Sequence, residues 1–224
     1  MKYFFYDCET TGTRYWKNGV WQISGLIEID GEIKEEFDFL VCPFKDALIE
    51  DEALEVGGVT KEQVLSFPPM SEVYVKLVTM LGKYVDKFNK KDKYLTVGYN
   101  SASFDDAFFR AWFVQNSDAY FGSWFSFPNI DVAVLAGEHL KETRLKMENF
   151  QLKTVAKELG IKVDESRLHD ATYDIYLTRE IYRIVTKSPG ASTVETNGGP
   201  CQHDGFIISG NGKPDYCSNC GQEL

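Results

Sequence analysis

Asp7 and Glu9 stand two residues apart in the segment Tyr3-Phe4-Phe5-Tyr6-Asp7-Cys8-Glu9. The aromatic content of that run predicts a β-strand, and residues i and i+2 of a strand project from one face. Two carboxylates on one face repel each other unless a cation lies between them. Hard oxygen ligands of this kind suit Mg²⁺ or Mn²⁺. Further carboxylates from elsewhere in the chain would let a pair of ions, roughly 3.5 to 4 Å apart, bracket a scissile phosphate. Asp105, which ends Tyr99-Asn100-Ser101-Ala102-Ser103-Phe104-Asp105, and Asp174, which ends His169-Asp170-Ala171-Thr172-Tyr173-Asp174, are the candidates to complete that site. The chemistry so assembled is metal-assisted phosphodiester hydrolysis.

The elements that must carry these acids are readable from pattern. Val20 to Ile29, an Asp30-Gly31 turn, and Lys34 to Val41 with alternating Phe37, Phe39 and Val41 predict two antiparallel strands beside the first. Short helices are expected around Asp51 to Leu54 and Thr60 to Leu65, the second capped by Thr60 with Gln63 three residues on. Apolar residues at helical spacing from Ser71 to Phe88 predict a longer helix that runs into the charged loop Lys87 to Lys93. Leu95 to Tyr99 reads as a buried strand that delivers Asn100 and a serine-rich turn to a helix starting near Phe104. Asp105 then falls in a first helical turn, where the positive end of the dipole favours a carboxylate. Ile130 to Val134 is expected to pass from strand into helix, Gln151 to Leu159 to be a helix closed by Gly160, and Ile175, Leu177, Ile181, Ile184 and Val185 to form the buried stripe of the last helix.

Taken in order, Asp-x-Glu-Thr from Asp7, Asn100 running to Phe104-Asp105, and His-x4-Asp from His169 to Asp174 resemble the DnaQ-like 3′-to-5′ exonucleases, the DEDDh family. The resemblance covers residues 1 to 186. It includes Ile130-Asp131-Val132, and Phe150-Gln151-Leu152-Lys153-Thr154-Val155-Ala156 followed by Leu159-Gly160-Ile161. It implies an α/β fold of ribonuclease H type, a mixed sheet flanked by helices. By the same resemblance Asp7, Glu9, Asp105 and Asp174 hold two Mg²⁺ or Mn²⁺ ions, one activating water and the other stabilising the leaving 3′ oxygen. The family's Phe-Asp pairing favours Asp105 over its neighbour Asp106. His169 is the implied general base. Its five-residue offset from Asp174 would place the two on different faces of a regular helix, so His169 is expected on the entering loop, where an imidazole of pKa about 6.5 can take a proton from water. A related subgroup carries tyrosine four residues before the last aspartate, but here that position is Asp170, and Tyr173 is too close to Asp174 to replace it.

Thr10, Thr11 and Gly12 are the implied substrate-side residues, at a turn where backbone groups can approach a terminal nucleotide. Asn100 is expected to orient nearby backbone or substrate. Tyr15, Trp16 and Trp21 are candidates for stacking on unpaired bases, with core packing the alternative for Trp21. The activity implied is release of nucleoside 5′-monophosphates from single-stranded DNA 3′ ends. Two alternatives stand beside it: the same chemistry on RNA or short oligonucleotides, and a proofreading or binding subunit that docks on a polymerase, replication or repair protein through its C-terminal tail.

The 224 residues suffice for one catalytic domain and a small appendage, and the net charge of −10 argues against broad electrostatic capture of duplex. Tyr3 to Tyr6 ends at once in Asp7, so no secretory leader is expected, no stretch is apolar enough for a bilayer, and a soluble cytoplasmic protein follows. The five cysteines argue against a disulfide framework. After Lys187 the composition turns to serine, proline, asparagine and glycine. The expected division is an exonuclease domain over 1–186, a flexible linker over 187–200 and a small module over 201–224. In that module Cys201, His203, Cys217 and Cys220 form a Cys₃His pattern for one structural zinc ion, without which so short a segment lacks a core.

Overall fold

The structure, a computed structural model, describes residues 1–167, 171–187, 207–210 and 213–217. The chain divides into two compact units, Met1–Lys187 and Ser188–Leu224.

The first unit is built on a five-stranded sheet of order β3-β2-β1-β4-β5. Strands β1 (Lys2–Thr10), β2 (Val20–Ile29) and β3 (Glu32–Leu40) form an antiparallel meander in which Asp7 lies opposite Ser24. The β2–β3 turn takes positive φ at both Asp30 (52°) and Gly31 (91°), the combination that matches the twist of a tight hairpin. On its other edge β1 pairs in parallel with β4 (Leu95–Gly98), and β4 pairs in parallel with β5 (Ile130–Asp131). The alternation of β1 sorts its side chains to the two faces. Phe4, Tyr6 and Cys8 pack against α3 (Met70–Leu81) and α4 (Asp105–Gln115). Phe5 points the other way, into a core shared with α5 (Val132–His139), α6 (Leu152–Glu158) and α7 (Ala171–Val185). The first core is aromatic: Phe4 stacks on Phe109 with centroids 5.8 Å apart, and Tyr6 lies 5.0 Å from the same ring. Full burial of each such ring contributes roughly 1.5 to 3 kcal/mol.

Helices α1 (Asp51–Gly57) and α2 (Lys61–Ser66) follow β3, and Thr60 and Gln63 form the reciprocal capping box expected of them. Trp21 settles on its packing alternative: it is 3% exposed, in a small core with Leu54 and Val64. The long helix is shorter than its periodicity predicts. It stops at Leu81, where Gly82 caps it, and Val85 returns to the core through a turn while Phe88 is left 85% exposed. Glycine's poor helix propensity at that point outweighs the apolar spacing beyond it. Cys8 and Cys42 are free thiols. Among the described residues no helix is long and apolar enough to cross a membrane.

In the second unit β6 (Ile207–Gly210) pairs antiparallel with β7 (Lys213–Cys217). Of the expected zinc ligands Cys217 ends β7, and Cys201, His203 and Cys220 lie outside the described residues, as do linker positions 188–200.

Candidate active site

Asp7 and Glu9 share the face of β1 that Phe5 occupies, the side covered by α5, α6 and α7. They sit beyond the point where β4 stops pairing, since the β1–β4 register runs only through Tyr3, Phe4 and Phe5. Past that point the β4-facing edge of β1 needs another acceptor. Asp105 provides it: the Cys8 amide donates to Asp105 Oδ1 at 3.1 Å. Asp105 is the first residue of α4 and 5% exposed, so the turn after β4 brings the second acidic motif against the first. Its neighbour Asp106 pairs with Arg110 at 2.6 Å.

Asp174 lies in the first turn of α7, which packs over β1 and β2. With Asp7, Tyr99, Leu152, Ile175 and Thr178 it lines a cavity of about 160 Å³ between the sheet, α6 and α7. The hydroxyl of Tyr99 donates to the Phe150 carbonyl at 2.7 Å and so ties the end of β4 to the segment entering α6.

These carboxylates feel one another. Burial, then the charges of Glu9 and Asp174, push the Asp7 carboxyl from the usual range near 4 up to about 7. Asp105 is raised well above that usual range by burial and by Asp7, although its bonds to the amides of Cys8 and Asp105 itself pull the other way. The thiol of Cys8, enclosed between them, is held up by burial and by the charge of Asp105. Among the described residues no three histidine, cysteine or carboxylate side chains form a closed ligand cluster. The four acids are an electrostatically linked set rather than a finished cage. In donor chemistry they fit a hard divalent cation: all are carboxyl oxygens, and the cost of charging them together in a partly desolvated place is what a bound cation relieves.

The turn after Glu9 is held internally. Thr10 Oγ1 donates to the Gly12 carbonyl at 2.7 Å, and Thr11 Oγ1 donates to the Leu48 carbonyl at 2.7 Å while accepting from the Gly19 amide at 2.9 Å. Gly12 is required by close approach, because a Cβ there would stand 2.3 Å from Asn18 Nδ2. Asn18, fully buried, was not singled out from sequence. It donates to the Thr11 and Leu48 carbonyls at 3.2 and 2.9 Å and accepts from the Arg14 amide at 2.9 Å. No periodicity marks a loop asparagine of this kind. Beyond it Tyr15 and Trp16 are 43% and 63% exposed, and Tyr15 meets the edge of Phe108 on α4 with centroids 6.4 Å apart. Asn100 has φ 58° and takes the hydroxyl of Ser103 on its side-chain oxygen at 3.0 Å, closing the turn that leads to Asp105. His169 lies outside the described residues.

A family model described as RNase_T exonuclease matches residues 4–182. No curated protein sequence matches the chain. Among solved structures, E. coli Exonuclease I in complex with a dT13 oligonucleotide superposes with a TM-score of 0.63 at 22% identity, over 82% of this chain and 40% of that one. Exonuclease I in a structure used to account for processivity gives 0.64 at 24% identity over the same shares. The zinc-bound form of the E. coli Exonuclease I complex with single-stranded DNA gives 0.64 at 23% identity, again over 82% and 40%. At these identities the likeness is one of fold, and it spans less than half of the Exonuclease I chain.

Proposed function

The chain belongs to the RNase_T exonuclease family, of the DnaQ-like DEDDh type, and on that footing we propose that it removes nucleoside 5′-monophosphates from single-stranded DNA 3′ ends with the aid of Mg²⁺ or Mn²⁺. The observation that supports this reading is the Asp105 carboxylate on the amide of Cys8, the residue that separates Asp7 from Glu9 in sequence. Asp7, Glu9, Asp105 and Asp174 would hold two ions. When bound, such ions supply positive charge against the charge that builds on the phosphate in the transition state. His169 takes the proton of the attacking water. The backbone of the tightly held turn over Thr10, Thr11 and Gly12 receives the terminal nucleotide, and exposed Tyr15 and Trp16 offer ring faces to unstacked bases. DNA is favoured over RNA because the fold is shared with Exonuclease I, which has been solved with a dT13 oligonucleotide. Cys201, His203, Cys217 and Cys220 of the second unit are the proposed ligands of one structural zinc ion.

Side-by-side digestion of 3′-labelled DNA and RNA strands of one sequence tests the assignment. The expected result is Mg²⁺-dependent loss of label from DNA first, abolished in Asp7→Ala. Preferential loss from RNA would overturn the choice of polymer, and undiminished Mg²⁺-dependent cleavage by Asp7→Ala would overturn the site.

A further inference from the structure

Asp105 reaches the site from a turn that its own residues hold only in part, through the Ser103 hydroxyl on the carbonyl and side-chain oxygens of Asn100 at 3.1 and 3.0 Å. Asn100 is a non-glycine residue in the left-handed region at φ 58°, Ser101–Ser103 form a single 3₁₀ turn, and Phe104, at φ −135° and ψ −73°, is not helical. A left-handed asparagine is tolerated but disfavoured, so such a turn needs support from outside.

That support converges on one side chain. Asp131 is the last residue of β5 and lies opposite Gly98, the last residue of β4. Past this pair β4 has no further strand neighbour on that side, and the Asp131 carboxylate takes up the amides that follow. Oδ1 accepts from the Asn100 amide at 3.0 Å, and Oδ2 accepts from the Ala102 amide at 3.0 Å. Oδ1 also accepts from the Ala133 amide at 2.9 Å, which makes the same group the N-cap of α5. A single carboxylate thus fastens the β4–α4 turn to the first turn of α5. Gly98 allows no slack, because a Cβ there would stand 2.6 Å from that of Ser101.

The geometry points to Asp131 as a positioning residue for the proposed reaction: by holding the amides of Asn100 and Ala102 it sets where α4 begins, and hence where the Asp105 carboxylate meets Cys8 and Asp7. Asp131 is not a fifth ligand, since both of its oxygens are turned to backbone amides. Residues that orient a metal ligand typically cost roughly ten- to a hundredfold in metal affinity or activity when removed. The inference rests on the exonuclease reading for its catalytic readout only.

The test compares wild type, Asp131→Ala and Asp131→Asn well below their melting temperatures. The expected result is a kcat at saturating oligonucleotide reduced roughly ten- to a hundredfold in Asp131→Ala, a half-saturating Mg²⁺ concentration raised by a similar factor, and a KM for oligonucleotide within about twofold. Asp131→Asn keeps the shape and one acceptor oxygen, so it recovers part of the loss and remains informative if the alanine variant folds poorly. Amide hydrogen exchange over residues 99–105, measured without metal or substrate, is expected to accelerate in both variants. A lowered melting temperature with unchanged kcat and Mg²⁺ dependence would overturn the positioning role and leave only a structural one. An inert wild type would sink the exonuclease reading alone. In that case unchanged exchange over 99–105 in Asp131→Ala would overturn the bracing, and faster exchange would support it.

Discussion

Asp105 and Asp106, side by side at the start of α4, meet different fates. Asp105 accepts from the Cys8 amide and is raised in pKa by burial and then by Asp7, while Asp106 pairs with Arg110 one turn along the helix at 2.6 Å. Their exchange for asparagine should therefore differ in kind. Asp105→Asn is expected to abolish Mg²⁺-dependent cleavage and to shrink the rise in melting temperature that Mg²⁺ gives the wild type. Asp106→Asn removes only a partly exposed i,i+4 pair, worth about 0.5 kcal/mol, and should cleave at the wild-type rate. Steady-state rates and thermal melts with and without Mg²⁺ check both, and an inactive Asp106→Asn beside an active Asp105→Asn would reverse the assignment. The types and order of the acids were legible because strand alternation and a helix start constrain them locally. The work of Thr11 was not, because its hydroxyl bonds the Leu48 carbonyl, a partner distant in sequence.

Helix α7 carries Asp174, and its hold on the sheet is ionic as well as apolar. Arg179, with a side chain 2% exposed, pairs with Glu28 on β2, and Arg183 approaches the same carboxylate at 3.4 Å. Glu28 is buried on the face where Leu26 and Phe5 meet α7, a charge on what alternation alone would assign as an apolar surface. Removing one partner strands the other in a place water does not reach, which typically costs about 3 to 5 kcal/mol, whereas replacing both with apolar residues of similar volume is often neutral. Arg183 offsets part of the stranded charge, so Arg179→Met is expected to cost about 3 kcal/mol and the double variant Arg179→Met with Glu28→Leu clearly less. Urea denaturation of the wild type, Arg179→Met, Glu28→Leu and the double variant checks this, and a double variant as unstable as the sum of the two single changes would show that the two side chains act independently. The stripe of Ile175, Leu177 and Ile181 was readable in the sequence, as was the Thr60 capping box. The buried arginine within that helix was not, because a charge at an inward position becomes sensible only once β2 presents its partner. The end of α3 was missed for the opposite reason: apolar spacing continued past Gly82 after the backbone had turned.

Among the described residues, every member of the buried cores lies before Lys187, in the unit that also carries Asp7, Glu9, Asp105 and Asp174. That unit holds its own sheet and both helical layers, so a protein ending at Lys187 should fold alone and keep Mg²⁺-dependent cleavage. The remaining unit, Ser188–Leu224, is smaller than the size at which an apolar core usually suffices, roughly 40 residues, and a hairpin of two strands alone is at best marginal in water. A cross-link is the physical requirement for such a unit to persist, and of the common ones a metal suits a segment whose thiols and imidazole recur as Cys201, His203, Cys217 and Cys220. The paired expectation is about one zinc per 224-residue chain after dialysis, none in the truncated protein, and similar cleavage rates on short single strands for the two. Elemental analysis and the labelled digestion read both. A zinc-free 224-residue protein would remove the metal as the stabiliser of the tail, and loss of cleavage on truncation would move the tail from an appendage to a part of substrate handling.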